Sequence, residues 1–282
     1  MNINRIPESE LGQGSGIRLD VCETEFDLYW KMALEVCELI KANNARGRKT
    51  LMIVPYGPVG PYRRLAWLVN HERISLRDCT FINMDEYLDE KLQYLPIDHP
   101  LSFRGGMNRE FYSRVDPELN VPEAQRVFPE PGHEEKIWQL IEQNGGLDMC
   151  FGGVGINGHV AFNEPPEPGI TMSNETFLKQ PTRILKLARE TRTINAFMNC
   201  SGDLDGIPEN CITVGMKEIW AAKKVRLCMP RDWNAGALRK VLHGPATCHV
   251  PSSLFQNHPD ATLYAAAIAL KSPEPEIRLY NK

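Results

Sequence analysis

Two segments of the sequence carry side chains suited to proton transfer. In the first, Asp85 and Glu86 directly follow an apolar run, so two adjacent carboxylates stand where a buried strand is expected to end. In the second, residues 150–165 form a glycine-rich stretch with a histidine and a carboxylate five residues apart, His159 and Glu164. A carboxylate can orient an imidazole, fix its tautomer and suit it to moving protons near neutral pH. The other carboxylates could abstract a carbon-bound proton, so the two segments together predict an acid–base site.

The glycine-rich stretch also offers groups that can contact a ligand. Glycines let the backbone approach a ligand closely and expose amide groups to an anion or a hydroxyl. Asn157 can support the network as a hydrogen-bond partner without competing for the proton. Taken singly, the histidine could be structural and the two adjacent carboxylates could begin a solvated turn, but their combination favours a site. The candidate binding residues of this stretch are Gly153, Gly155, Gly158 and Asn163.

The composition favours a small-molecule partner. The chain has 282 residues, of which 42% are apolar and 24% charged, as is typical of globular proteins. Its net charge of -4 provides no long-range attraction for nucleic acid or an anionic membrane. No apolar stretch approaches the roughly 18 residues needed to span a bilayer, and the first residues lack a signal-peptide pattern. We therefore expect a cytoplasmic protein.

Cysteine usage argues against a zinc site and against disulfides. The eight cysteines never form a CxxC pair, and most lie within apolar runs, where a reduced cysteine behaves as a small hydrophobic residue. No metal site is predicted.

Strands and helices are expected to alternate along the chain. A helix over 24–44 is predicted from Thr24 and Asp27 as a cap, followed by apolar residues at helical spacing. The face expected in the core consists of Phe26, Tyr29, Trp30, Ala33, Cys37 and Ile40. Strands are predicted at 50–55, 79–83, 147–151, 183–187, 211–214, 225–229 and 261–266. Further helices are predicted near 61–70, 103–114, 133–143, 216–221 and 233–243. This alternation indicates an α/β fold, Rossmann-like, with an open, mostly parallel sheet and helices on both faces.

The chain is expected to form a single domain over residues 1–282, with residues 1–20 as an N-terminal extension. No linker or internal repeat divides it, and residues 165–174 are interpreted as a surface loop or lid. In open α/β sheets the ligand crevice lies beyond the carboxyl ends of the strands. Asp85 and His159 are therefore predicted to line one crevice.

The two site segments together resemble the glucosamine-6-phosphate deaminase (isomerase) family. The resemblance is carried by NMDEY at 83–87 and by GGVGxNGHxxFNEP at 152–165. The related 6-phosphogluconolactonases share the histidine loop but not the NMDEY and FNEP elements. Roughly residues 24–265 can be aligned with the family. Smaller matches are His99-Pro-Leu-Ser102 with Met107, Arg109 and Phe111, then Glu190-Thr-Arg192 and Thr213-Val-Gly215.

The resemblance implies a reaction without a cofactor. An amino-aldose is opened, its C2 proton is passed to C1 to give a ketose imine, and ammonia leaves. Asp85 corresponds to the base that carries the proton, with Glu86 as its neighbour, and His159 would open the sugar ring, oriented by Glu164. Asn157 stands where family members carry Asp or Asn. The expected partner is a sugar, and homo-oligomer formation is left open.

The junction after the first predicted strand departs from the family. There the family carries a TGGTP or TGSTP loop, which binds the sugar phosphate at a helix N-terminus. This chain has Pro55-Tyr-Gly-Pro-Val-Gly-Pro61, so Val59 stands in place of the phosphate-binding Ser or Thr. The family's phosphate-binding Arg and Lys fall on Phe197 and Asn234. Each hydrogen bond to a charged group contributes about 1.5–3 kcal/mol, so three losses together indicate a changed substrate.

Gly57 and two arginines remain as candidate substrate ligands near this junction. Arg63 and Arg64 begin the following helix and could replace the missing cations, or they could be ordinary solvated helix residues. The leading hypothesis is a deaminase and isomerase with altered specificity for the C6 group. The alternatives are a sugar isomerase without deamination, a lactone hydrolase in which His159 activates water, and a non-catalytic sugar-binding regulator.

Overall fold

A parallel sheet of seven strands forms the centre of the structure, a computed structural model that describes residues 2–280. The strand order is β1-β10-β9-β6-β2-β3-β5, and every neighbouring pair is parallel. The strands are β1 (Arg18–Cys22), β2 (Thr50–Val54), β3 (Cys79–Asn83), β5 (Arg126–Val127), β6 (Leu147–Gly153), β9 (Ala222–Met229) and β10 (Ala261–Ala266).

Helices cover both faces of this sheet. They are α1 (Glu25–Asn44), α2 (Gly60–His71), α3 (Phe103–Glu110), α4 (Glu135–Gln143), α5 (Asn174–Leu178), α6 (Arg189–Asn199), α7 (Met216–Trp220), α8 (Ala235–His243) and α9 (Pro275–Tyr280). Side chains of β2 alternate between two cores, because successive strand residues point to opposite faces. Leu51 and Ile53 pack with α4, α7 and α8, whereas Met52 and Val54 pack with α1, α2 and α3. The predicted α/β fold class is confirmed.

A second sheet has three antiparallel strands in the order β4-β8-β7. Its strands are β4 (Asp85–Leu88), β7 (Arg183–Lys186) and β8 (Asn210–Thr213). The parallel arrangement predicted for 183–187 and 211–214 is therefore wrong. A short apolar run indicates a strand but does not specify its partner or direction.

Met84 connects the two sheets. Its amide donates to Val54 O in β2 at 2.8 Å, and its carbonyl accepts from Val214 N, directly after β8, at 2.8 Å. The chain thus leaves the large sheet at Asn83 and enters the small sheet at Asp85. The alternative interpretation of Asp85 and its neighbour as a solvated turn does not hold, because both residues are buried in β4.

Helix α1 begins as predicted, and its buried face agrees with the predicted one except at two residues. Thr24 and Asp27 form a capping box at its start. Phe26 and Trp30, expected in the core, are 59% and 38% exposed. Tyr29, Ala33, Cys37 and Ile40 are buried as predicted, and Leu28, Met32 and Val36 complete the buried stripe.

The residues before β1 take part in the fold. The side chains of Ile6, Leu11 and Ile17 are buried in the larger core.

Among the described residues, no helix is both long and apolar enough to cross a bilayer. All eight cysteines are free, and Cys200 alone among them is not fully buried. Over the same part of the chain, no three His, Cys, Asp or Glu residues cluster as metal ligands would.

Candidate active site

Three segments meet at the carboxyl edge of the large sheet. Asp85 follows β3, a loop of residues 154–163 follows β6, and a loop of residues 55–59 follows β2. Because β6, β2 and β3 are neighbours, these segments leave the sheet side by side. The end of β6 and the loop of residues 55–59 lie close together, since a Cβ placed on Gly153 would lie 3.1 Å from Gly57 O.

The histidine loop is docked beside Asp85. Phe162 N donates to Thr213 Oγ1 at 3.0 Å, and Thr213 is the residue paired with Asp85 across β4 and β8. Tyr87, two residues after Asp85, packs on Phe162 of the histidine loop with ring centres 5.8 Å apart. The structure thus brings the two predicted segments together.

Asp85 is a buried carboxyl without a hydrogen-bond donor among the described residues. Its side chain is 7% exposed. Burial raises its pKa to about 8, and the negative charge of Glu86 adds to the effect. A carboxyl with this pKa can take up and release a proton near neutral pH, which is what a proton shuttle requires.

Glu86 is fully buried and points to the first turn of α3. Its Oε1 accepts from Tyr87 N at 3.0 Å and Phe103 N at 2.9 Å. Its Oε2 accepts from Ser102 Oγ at 3.2 Å and Arg104 N at 2.9 Å. Burial raises the pKa of Glu86, and the three backbone donors oppose that rise. Since both oxygens are occupied by the protein, Glu86 has no oxygen left for substrate.

His159 has three oxygen atoms around Nδ1. Asn157 Oδ1 lies 2.8 Å away, and Glu164 Oε2 and Thr191 Oγ1 each lie 3.2 Å away. The Asn157 oxygen and the carboxylate can only accept, so we assign the proton to Nδ1. This leaves Nε2 as the nitrogen able to exchange a proton with substrate.

Asn157 and Glu164 are joined to each other as well. Asn157 Nδ2 donates to Glu164 Oε2 at 2.7 Å. Burial tends to raise the pKa of Glu164, but the charge of His159 and hydrogen bonds from His159, Thr191 and Asn157 outweigh it, so the pKa is lowered. The ionised carboxylate therefore stays available to stabilise a protonated imidazole.

Thr191 also belongs to this cluster, although its residue type alone did not mark it as a candidate. It is 1% exposed and lies in the first turn of α6. One turn later, Asn195 Nδ2 donates to Tyr87 Oη at 2.9 Å, so the same face of α6 continues along the crevice. The available signal was the segment 190–192, which has a counterpart in the family.

Two glycines of the histidine loop allow other side chains of the protein to pack against the backbone. A Cβ on Gly155 would overlap the imidazole of His159, so glycine allows the ring to lie against the backbone. Gly158 has φ +86°, which favours glycine, and a Cβ there would contact Val250. These two residues position His159.

Asn163 is also a structural member of the site. It is fully buried and donates to Val160 O at 3.1 Å and Val214 O at 2.9 Å. Its Oδ1 accepts from Arg183 at 2.8 Å. Because these bonds use its amide and its oxygen, the structure does not present Asn163 to a substrate as predicted.

The altered loop offers few groups to an anion. Val59 precedes α2 without a side-chain hydrogen bond and is 39% exposed. Pro58 and Pro61 have no N–H, which removes two donors from the helix start. Gly57 has nothing within 4 Å of the place where a Cβ would lie, so the loop is open there.

The other two positions expected to bind phosphate carry no cation. Phe197 is 70% exposed on α6. Asn234 is fully buried, donates to Val154 O at 3.0 Å and accepts from Arg231 N at 3.0 Å. Asn234 therefore supports the backbone around the loop rather than a ligand.

Arg63 and Arg64 both bind groups of the protein. Arg63 binds Glu110 through two nitrogen atoms, at 2.5 Å and 3.1 Å. Arg64 donates to Gly60 O at 2.9 Å, and its guanidinium lies 5.5 Å from the ring centre of Trp30. Both side chains are taken up by groups of the protein, so the geometry favours ordinary helix residues over substrate ligands.

One cavity lies apart from these groups. A cavity of about 450 Å³ lies at the opposite, amino-terminal edge of the sheet. It is lined by residues such as Arg18, Arg226 and Asp260 and contains none of the candidate site residues.

Comparisons with known proteins agree with the geometry, although no protein-family model matches the chain. A glucosamine-6-phosphate deaminase of Geobacillus sp. (strain WCH70) is 30% identical over 231 residues, which cover 79% of this chain and 84% of that protein. One of Beutenbergia cavernae is 32% identical over 213 residues, covering 73% and 74%.

Solved structures show the same relationship. A monomeric glucosamine-6-phosphate deaminase of the NagB superfamily matches with a TM-score of 0.76 and 26% identity, covering 90% of this chain and 99% of that one. A 6-phosphogluconolactonase from Thermotoga maritima, 14% identical, matches with a TM-score of 0.59 and covers 89% and 99%. The second match is a likeness of fold.

Proposed function

Because the chain belongs to the glucosamine-6-phosphate deaminase family, we propose that it isomerises and deaminates an amino sugar that carries no phosphate at C6. The proposal combines two parts of the crevice. The proton-transfer groups around Asp85 and His159 support the chemistry, and the loop of residues 55–59 supports the changed substrate.

The proposed reaction begins with ring opening. His159 Nε2 accepts the proton of the C1 hydroxyl and returns it to the ring oxygen, giving the open aldehyde. The imidazolium that forms between these two transfers is stabilised by Glu164, whose carboxylate lies 3.2 Å from Nδ1. Asn157 and Thr191 hold the ring in the orientation that directs Nε2 outward.

The carbon-bound proton then moves through Asp85. Its ionised carboxylate abstracts the C2 proton, and the electron pair of that bond forms the C1–C2 double bond while the C1 carbonyl pair moves onto its oxygen. That oxygen takes up a proton given up by the substrate's ammonium group, so an enol-amine forms. Asp85 returns its proton to C1, which leaves a protonated imine at C2 and regenerates the carboxylate. Water adds to the imine and ammonia leaves, so the products are a ketose and ammonia.

The observation that carries the changed specificity is the loop after β2. A phosphate bound at a helix start depends on backbone N–H groups and nearby hydroxyls or cations. Here Pro58 and Pro61 lack the N–H, Val59 lacks a hydroxyl, and Arg63 is bound to Glu110. A sugar with an uncharged C6 group does not need these hydrogen bonds and ion pairs, so the altered loop would not weaken its binding.

A substrate screen tests the proposal. Glucosamine, glucosamine 6-phosphate and matched sugars without the amino group are incubated with the protein, and ammonia, ketose and solvent deuterium uptake are measured. We expect ammonia and ketose from the unphosphorylated amino sugar. Deuterium uptake without ammonia would identify an isomerase, acid release from a lactone would identify a lactonase, and binding without turnover would identify a regulator.

A further inference from the structure

We propose that Glu86 is a positioning residue: the first turn of α3 holds its carboxylate next to Asp85, where its charge favours the protonated form of Asp85. The inference rests on the proposed role of Asp85. It assigns Glu86 a task different from direct contact with substrate.

The geometry separates the tasks of the two adjacent carboxylates. Asp85 and Glu86 are consecutive in β4, so their side chains leave opposite sides of the strand. Glu86 is fully buried and accepts one hydroxyl and three backbone donors. Asp85 accepts none from the described residues. One carboxylate is thus fixed by the protein, while the other is left free to exchange a proton.

The start of α3 stabilises a negative charge on Glu86. Backbone N–H groups of Phe103 and Arg104 point at its oxygens, where the helix dipole favours an anion. The Arg104 guanidinium lies 3.5 Å from Oε2 and is itself held by a 2.7 Å hydrogen bond to Leu95 O. The ring centre of Tyr94 lies 4.1 Å from the guanidinium carbon of Arg104.

A fixed charge at this place acts strongly on its neighbour. Charges separated from water interact through a lower effective dielectric constant than they would at the surface. A negative Glu86 therefore makes the ionised form of Asp85 less favourable. The pKa of Asp85 is raised to about 8, by burial first and by Glu86 next.

Other titratable groups near the pair remain neutral in the relevant pH range. Burial raises the pKa of each nearby tyrosine and of the nearby thiol above its ordinary value. Glu86 is then the charge that acts on Asp85 from its own side of the site, and Arg104 is the cation beside Glu86. The neutral groups are Tyr62, Tyr87 and Cys211 near Asp85, and Tyr56 and Tyr94 near Glu86.

A stability measurement tests the inference without any substrate. A folded-state pKa raised above the unfolded value means that unfolding free energy falls as pH rises from about 4 to 8. Asp85→Asn removes this dependence. Its unfolding free energy therefore exceeds that of the parent by a difference, the stability advantage, that grows with pH and becomes constant above about 8. We call the pH at which the difference becomes constant the levelling point. We measure that advantage by thermal unfolding at closely spaced pH values, in the wild-type and Glu86→Gln backgrounds.

The expected result is a shift of the levelling point. In the Glu86→Gln background it moves to lower pH by about one unit, because a charge next to Asp85 is gone. In an Arg104→Gln background it moves to higher pH, because the compensating positive charge is gone. Two shifts of opposite sign cannot come from a general loosening of α3. The pH dependence of turnover should follow the same two directions.

Glu218→Gln is the matched control. Glu218 is also fully buried and accepts backbone N–H groups at a helix start, from Thr182 at 3.2 Å and Gly215 at 3.0 Å. We expect this variant to lose stability without moving the levelling point. An unmoved point in Glu86→Gln, or in Arg104→Gln should Glu86→Gln not fold, overturns the inference. The proposed function fails separately, if Asp85→Asn keeps full activity.

Discussion

The ring of Tyr56 occupies the space that a side chain at Gly106 would need. A Cβ placed on Gly106 would overlap the end of that ring, including its hydroxyl oxygen. The same ring packs on Phe103 with ring centres 5.0 Å apart. Tyr56 therefore fixes the altered loop to α3, the helix whose first turn also holds Glu86.

Gly106→Ala should test this coupling. The added methyl group displaces Tyr56, and overpacking of this kind costs about 1–3 kcal/mol of unfolding free energy. Urea unfolding of Gly106→Ala, Tyr56→Ser and the double variant measures whether the two changes interact. Gly236→Ala is the control, since its Cβ would meet no atom within 4 Å in α8. Simple additivity of the two changes would contradict the coupling.

Asp85→Asn should abolish turnover while leaving a folded protein. An amide cannot accept the carbon-bound proton, and general acid–base groups contribute about 10²- to 10⁴-fold to rate. The variant should also be more stable than the parent at pH 9, by at least about 1 kcal/mol, because the parent must bury an ionised carboxylate there. Steady-state rates and thermal unfolding at pH 5 and pH 9 check both effects.

Activity should increase with pH through the titration of Asp85. With a pKa of about 8, about a tenth of this group is ionised at pH 7. The value of kcat/KM should therefore rise with pH and level off above about 8. A profile that is already level at pH 6 would show that a different group limits the reaction.

Thr191→Val should reduce ring opening through His159. Valine keeps the shape but removes the hydroxyl that lies 3.2 Å from Nδ1. We expect a loss of about tenfold with ring-closed substrates, since a lost hydrogen bond to a charged group costs about 1.5–3 kcal/mol. Thr193→Val is the control, because this threonine of α6 is exposed and its hydroxyl donates to Arg189 O within the same helix. Equal rates for both variants would rule out this role.

Glucosamine 6-phosphate should be a poor substrate. A site built without polar partners for a group discriminates against it. Kinetics on glucosamine and on its 6-phosphate, repeated with Arg63→Ala and Arg64→Ala, decide the matter. Loss of 6-phosphate turnover in either variant would indicate a rebuilt anion site. Efficient turnover that survives both changes would refute the changed specificity and the arginine alternative together.

The sequence was informative where function depends on position along a strand. Asp85 and the His159 loop each follow an apolar run directly, and parallel strands deliver such residues to one edge. The sequence was less informative where partners come from elsewhere. Three of the four donors to Glu86 come from residues 102–104, and only the packing of α3 against β4 brings them there.

The helix pattern of α1 shows a similar limit. Two overlapping stripes of apolar residues satisfy helical spacing, and the spacing alone does not tell which one faces the sheet. The exposed stripe is used at the surface, where Phe26 and Trp30 surround the guanidinium of Arg64. Arg64, a candidate substrate ligand in the sequence, therefore packs on aromatic side chains of α1.

The division of the site between two sheets has a consequence for heat inactivation. Asp85 belongs to the three-stranded sheet, whereas the His159 loop emerges from the seven-stranded one. The small sheet has its own modest core, which includes Tyr87, Phe162 and Cys211. A unit of this kind can open at a lower free energy than the rest of a protein. Activity would then disappear on mild warming while the large sheet is still intact, and it would return on cooling.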